Sequence, residues 1–337
     1  MERYVRIIDS TLRDGTHAVS HQFSVKDMVA IASALDKAGV PVIEVGHGDG
    51  LGGSSYQYGF SKDNEFDYFR AVAEVLTETK LAVLLLPGIG SKKMLQKAYE
   101  CGARMVRVAT HVTEADIAQQ HIQLGKELGM ETIGFLMMSH MASPEVLLQQ
   151  AQLMESYGAD VVYVTDSAGA LIPAEVSKRI RLLKDNLSCK IGFHAHNNLG
   201  LAIGNSLAAL EAGADYLDGT TRSLGAGAGN AQTEVLVALL NKLGYKTGID
   251  LYKIMDAGEK EVVPRMRELM GLNATAVMLG YTGVYGSFLL HTLRVAQQLG
   301  VEPRDILVEL GRRGVVGGQE DMIVDVAVQL QNKKCAS

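Results

Sequence analysis

The sequence predicts an α/β fold, a (β/α)8 TIM barrel followed by a small helical appendage. Three observations carry that expectation. One phrase recurs along the chain: a helical pattern ends, a glycine follows, and an apolar strand begins. It stands in "KAGVPVIEVG", "ECGARMVRVA", "ELGMETIGFLM", "SYGADVVYVTD" and "EAGADYLDGT". Its glycines, Gly39, Gly102, Gly129, Gly158 and Gly213, lie one or two units of about 30 residues apart, the length of a βα unit. The first strand leads into "DSTLRDG" rather than the glycine-rich phosphate turn of an open doubly wound sheet.

The strands follow in order. "YVRIIDS" at 4–10 opens the series, and the recurring phrase supplies strands starting near 41, 104, 131, 160 and 215. The two double-length intervals each contain another apolar run, "LAVLLLPG" at 81–88 and "CKIGFHAH" at 189–196. Eight strands alternating with helical patterns imply a closed parallel barrel. The glycines suit helix C′ positions, where the left-handed conformation is resisted by other residues. Ahead of the first helix, Ser24 and Asp27 have capping-box spacing. Beyond residue 262 the strand phrase stops. "VPRMRELMGL", "FLLHTLRVAQQLG", "PRDILVELGRRG" and "EDMIVDVAVQLQ" read as helices. Two domains are expected, a catalytic barrel over 1–262 and a helical unit over 263–337.

Composition narrows the function. The net charge of −6, without a basic stripe, argues against nucleic-acid binding. No apolar run reaches the ~20 residues of a membrane span, and the first residues lack a signal-peptide pattern. Cys101, Cys189 and Cys335 form no C-x-x-C pair, which suits a reducing cytoplasm.

Active sites of such barrels lie at the C-terminal ends of the strands. Those ends carry Asp9 to His17, Glu44 to His47, Leu86, Thr110, Met138, Asp166 and Ser167, His194 and His196, and Asp218. His194 and His196 are two apart on a strand, so both rings face one point. That spacing suits a metal pair, and equally two polar residues satisfied by backbone at a strand mouth. Asp14, from the end of the first strand, could complete a two-histidine, one-carboxylate set for Mn²⁺, Mg²⁺, Co²⁺ or Fe²⁺. Arg13 beside it suits either a rim salt bridge or a substrate that develops negative oxygen charge. His17 is a candidate general base, the imidazole being the side chain suited to that role near neutral pH, with His21 and His47 next in line. Two glycine-rich stretches are not dinucleotide fingerprints. "GHGDGLGG" at 46–53 reads as a mobile rim loop, and "SLGAGAGN" at 223–230 as backbone passing close to the site.

"DSTLRDGTHAVSHQF", "HAHNNLGLAIGNSLAALEAGADYLDGT" and "GAGAGNAQTE" resemble the metal-dependent barrel lyases and synthases that share an Asp-Arg-Glu signature. Within that superfamily the chain is most similar to the 4-hydroxy-2-oxovalerate aldolases. Thr16 and His17 stand where the synthases carry Glu-Gln. "LLLPGIG", "TDSAG", "VYGSFLLH" and "GGQEDMIVDVA" also resemble the aldolase, whereas Ser20 departs from the arginine of many aldolases. The resemblance implies that Asp14, His194 and His196 hold a divalent metal, commonly Mn²⁺, with Mg²⁺ or Co²⁺ as alternatives. It implies a 4-hydroxy-2-oxo acid substrate, bound through its carboxylate and 2-keto oxygens at that metal, with His194 also at the substrate. His17 would take the 4-hydroxyl proton, helped by Tyr285. Arg13 would hold the enolate charge, Ser167 the carboxylate, and Leu84 and Leu86 would shape the aldehyde pocket. It further implies an acylating acetaldehyde dehydrogenase as hetero-oligomeric partner, with Gly317 and Gly318 on the route the aldehyde takes. A synthase condensing an acyl-CoA with a 2-oxo acid is the alternative. A barrel kept only as a binding subunit fits poorly with the intact Arg13, Asp14, His17, His194 and His196.

Overall fold

A computed structural model describes residues 3–336. Met1, Glu2 and Ser337, at the ends of the two expected domain ranges, lie outside the described residues, as does the side chain of Cys335. Cys101 and Cys189 are free thiols.

Eight parallel strands close into a barrel. They are β1 (Arg6–Leu12), β2 (Val42–Val45), β3 (Lys80–Leu85), β4 (Met105–His111), β5 (Glu131–Met137), β6 (Val161–Asp166), β7 (Lys190–Ala195) and β8 (Tyr216–Gly219). Closure is made by β8 against β1, with Ile8 opposite Asp218 and Asp9 opposite Gly219. The strand-start positions read from the sequence hold to within about two residues. β1 runs further than "YVRIIDS" suggested and carries Thr11 and Leu12 to the rim. Arg3–Tyr4 belongs instead to a separate two-stranded pair with Tyr245–Lys246.

Alternation along each strand sorts side chains between two cores. In β3, Leu81, Val83 and Leu85 pack under the surrounding helices, while Ala82 and Leu84 face the barrel interior. The interior is apolar at the bottom, with Ile8, Val42, Met105, Val161 and Tyr216. The same parity brings Glu44, Arg107, His194 and Asp218 inward above them, all buried. The five glycines of the recurring phrase have φ between 73° and 112°, as a left-handed helix end requires. Ser24 and Asp27 form the expected reciprocal capping box on the helix Val25–Lys37.

Two expectations about the backbone are corrected. The segment "VPRMRELMGL" is not a helix beyond Arg265: the chain turns extended at Met266, and Met266 and Met270 pack against the barrel core. The helix at this end is Ala274–Thr282, capped by Asn273, whose side chain accepts from the Ala276 N–H. It is almost uniformly apolar, so it offered no amphipathic period to read. Second, the stretch 46–53 is packed rather than a mobile rim loop. Its residues are buried except Gly52, which is half-buried, and a Cβ on Gly50 would lie 2.7 Å from the Leu84 carbonyl oxygen.

Helices Ala274–Thr282, Phe288–Leu299, Pro303–Arg313 and Met322–Ala336 enclose their own apolar core, centred on Leu279, Phe288, Ile306, Leu310 and Ile323. They meet the barrel rim where His140 Nε2 lies 3.0 Å from the Gly283 carbonyl. Among the described residues no helix is long and apolar enough to cross a membrane.

Candidate active site

The end of β1 passes into a tight 3-10 turn, Asp14–Val19, which presents Asp14 and His17 on the barrel's C-terminal rim. His194 lies in β7 and His196 follows directly. The two elements converge. Asp14 Oδ2 is 3.3 Å from His194 Nε2 and 3.6 Å from His196 Nε2, and all three side chains are buried. Asp14 Oδ1 is buried with no hydrogen-bond partner. One ligand atom from each residue lies within 4.8 Å of the others. A buried carboxylate and two imidazoles with an unused oxygen form a donor set for a divalent cation, and the residues fit that group. The placement favours the metal pair over backbone-satisfied polar residues.

The charges of Asp14 and His196 support this. Burial alone would raise the Asp14 pKa, yet Arg13, then His196 and His194, hold it well below the usual carboxylate range. Burial drives the His196 imidazole down to about 4, so it is neutral near pH 7. His194 is also penalised by burial, but hydrogen bonds to Asp14 and Asp218 outweigh this and raise its pKa.

Three residues that the sequence reading left without a role hold the set in place. Asp218 Oδ2 lies 2.8 Å from His194 Nδ1, which orients the ring with its Nε2 toward Asp14. Glu44 Oε2 accepts from Arg13 Nε at 2.8 Å. Arg107, fully buried in β4, donates to both Asp218 and Glu44 and stacks over Phe135 and Tyr163. One guanidinium therefore anchors both carboxylates. Glu44 and Asp218 were visible as rim residues. Arg107 had its own signal, an unpaired charge inside the apolar run "MVRVATH".

A cavity above this layer is lined by Arg13, Asp14, Leu84, Leu86, Ser167, His194, His196 and Tyr285, together with Gly48, Asp49, Phe135, Met137 and Thr165. Arg13 Nη2 is buried without a partner there. Ser167 Oγ accepts the Met138 N–H at 3.0 Å, which leaves its own proton free to donate. Tyr285 comes from the loop between helices Ala274–Thr282 and Phe288–Leu299, so the C-terminal helices contribute directly to the cavity. Burial raises its hydroxyl pKa. Gly317 lies behind it, where a Cβ would sit 3.5 Å from the Tyr285 ring, whereas a Cβ on Gly318 would meet open space. His17 is not among the lining residues. Its ring lies against Gly48, packs edge-on to His21 with centroids 5.0 Å apart, and shares a potential ligand cluster with His21 and Asp49. The stretch 223–230 approaches from β8: the Ala228 N–H donates to Asn198 Oδ1 at 2.9 Å, and the Asn197 N–H to the Gly229 carbonyl at 2.8 Å.

Comparison with known proteins bears on this geometry. The HMGL-like family matches residues 4–260, and the DmpG-like communication domain matches residues 270–332. A 4-hydroxy-2-oxovalerate aldolase of Carboxydothermus hydrogenoformans is 64% identical over 330 residues, 98% of both chains. The chain belongs to the HMGL-like family, among its 4-hydroxy-2-oxovalerate aldolases. An aldolase of the same description from Geobacillus stearothermophilus is 61% identical over 336 residues, covering 100% of this chain and 98% of that one. The carboxyl transferase domain of Rhizobium etli pyruvate carboxylase, solved with 3-hydroxypyruvate, superposes with a TM-score of 0.83 at 19% identity. That match covers 99% of this chain and 61% of the other, and at that identity it is a likeness of fold.

Proposed function

We propose that this aldolase cleaves 4-hydroxy-2-oxopentanoate and related 4-hydroxy-2-oxo acids to pyruvate and a short aldehyde, using a divalent metal. The observation that carries the reading is one cavity holding the Asp14–His194–His196 donor set and the unpartnered Arg13 Nη2. When bound, as Mn²⁺ with Mg²⁺ or Co²⁺ as alternatives, the ion supplies Lewis-acid stabilisation of developing oxygen charge.

The chain's own residues do the rest. His17 takes the 4-hydroxyl proton, directly or through one water. The C3–C4 bond then breaks, C4 becomes the aldehyde carbonyl, and the electron pair passes into the pyruvate enolate. Arg13 Nη2 supplies a fixed positive charge for that enolate oxygen. Ser167 donates to the substrate carboxylate, His194 borders the same end, and Tyr285 positions the 4-hydroxyl. Leu84 and Leu86 face the aldehyde chain. Residues 1–262 serve as the catalytic barrel. Residues 263–337 serve as the partner-binding unit, docking an acylating acetaldehyde dehydrogenase that receives the aldehyde past Gly317 and Gly318. Exposed Tyr281, Leu290 and Leu293 give that unit apolar surface to cover. The setting is cytoplasmic degradation of aromatic compounds by ring meta-cleavage.

The test is incubation of the purified chain and Mn²⁺ with racemic 4-hydroxy-2-oxopentanoate. Pyruvate and acetaldehyde are expected in equal amounts. No pyruvate, but release of CoA from acetyl-CoA in the presence of a 2-oxo acid, would transfer the chain to the synthases. For the metal set, His194→Ala or His196→Ala removes one of three protein ligands and is expected to leave most protein metal-free after dialysis, with the barrel still folded. Full occupancy by elemental analysis would take these residues out of the site. For the pocket, Leu84→Ala or Leu86→Ala is expected to shift preference toward longer aldehydes. The gain is at most roughly 1 kcal/mol per added methylene. An unchanged preference from acetaldehyde to pentanal would place the pocket elsewhere.

A further inference from the structure

A second group of donors lies beside the first and shares no residue with it. His17, His21 and Asp49 bring one ligand atom each within 4.8 Å of one another. N and O ligands on a tetrahedral Zn²⁺ sit at ~2.0–2.2 Å, hence ~3.4 Å apart, so small side-chain rotations would complete such a site.

The hydrogen bonds around the group fix which atoms are free. The Thr16 hydroxyl donates its single proton to the Arg13 carbonyl at 2.6 Å. It must therefore accept from His21 Nδ1–H, 3.0 Å away, which leaves the lone pair of His21 on Nε2. That is the arrangement in which a ligating imidazole is held by a supporting oxygen.

Asp49 completes the set. His47 accepts the Asp49 N–H on Nδ1 at 3.1 Å, and its Nε2–H donates to the Gly59 carbonyl at 3.1 Å. Both of its nitrogens are thus spent, and it gives the Asp49 carboxylate neither a proton nor a charge. A buried carboxylate beside two imidazoles repeats the donor composition of the first site, and in the general affinity order such a set binds Zn²⁺ more tightly than Mn²⁺.

We propose that His17, His21 and Asp49 form a second divalent-cation site that takes ions such as Zn²⁺, and that filling it inhibits the aldolase by occupying the lone pair of His17. The binding stands on the geometry alone, whereas the inhibition rests on the reading of His17 as the base.

The two are tested separately on the Mn²⁺-loaded full chain. Total metal per chain is measured by elemental analysis after equilibrium dialysis against excess Zn²⁺, and pyruvate formation is followed in parallel. Wild type is expected to hold two ions per chain, and His21→Gln and Asp49→Asn each one. Zn²⁺ in excess is expected to slow wild-type cleavage about tenfold more than that of His21→Gln, in keeping with the loss of a single ligand contact. A wild-type total of one ion overturns the site, as does a second ion retained in both variants. A second ion that binds without slowing cleavage leaves the site standing and overturns the role of His17.

Discussion

Arg13→Ala is expected to abolish both cleavage of 4-hydroxy-2-oxopentanoate and exchange of pyruvate methyl protons in D₂O. Both reactions pass through an enolate, and the charge on its oxygen needs the cation whose Nη2 is left unpartnered in the cavity. His17→Ala is expected to separate them. Cleavage also needs a base for the 4-hydroxyl, and its loss costs roughly 10²–10⁴ in rate. Methyl exchange does not use that hydroxyl, so a measurable rate should survive in His17→Ala when followed by NMR. Near wild-type cleavage by His17→Ala would assign the base elsewhere. His21 would be the first alternative for its position, although its pKa of about 2 makes it a weak proton acceptor. His47 follows with a pKa near 4, lowered chiefly by burial.

The barrel was legible because its signals are local. A left-handed glycine after each helix and an apolar run after each glycine are set by backbone sterics and burial, which act over a few residues. The convergence of Asp14, His194 and His196 was legible for the same reason: His194 and His196 share a strand face, and Asp14 follows the end of a strand two places around the rim. Other features depend on contacts between distant segments. Nothing near residue 46 announces that "GHGDGLGG" will pack under Leu84, or that Gly48 will lie against the His17 ring. The helix Ala274–Thr282 packs Gly280 close to the Gly169 carbonyl and Leu199 on one face, yet stays apolar on its open face, where Val277 and Tyr281 are exposed. Periodicity is lost when the exposed positions of a helix are apolar too.

Arg107 shows how far such long-range coupling reaches, and its replacement should have the largest effect on stability. In β4 it is the shared cation of two buried carboxylates, Glu44 from β2 and Asp218 from β8. Arg107→Met keeps much of the volume but leaves both carboxylates without it. Removing one partner of a buried ionic network costs about 3–5 kcal/mol. The cost should depend on pH in a definite direction. Burial would raise the Asp218 pKa, but Arg107 and His194 together hold it below the usual value. A carboxyl with a depressed folded pKa adds stability above its unfolded pKa and loses it as pH falls through the folded one. In wild type that contribution stays in place down to about pH 4. Without Arg107, burial is opposed by His194 alone and raises the Asp218 pKa. The variant therefore regains stability as pH falls through that raised value, and its gap to wild type should narrow from pH 8 toward pH 4. Metal affinity should fall with it, by about 10–100-fold, because Asp218 is the group that orients His194. Arg107→Lys keeps the charge but cannot span both carboxylates, so it should recover more of the stability than of the metal affinity. Urea denaturation at the two pH values and metal titration of both variants measure these effects. An equal gap at both pH values with unchanged metal binding would reduce Arg107 to a space-filling residue of the barrel interior.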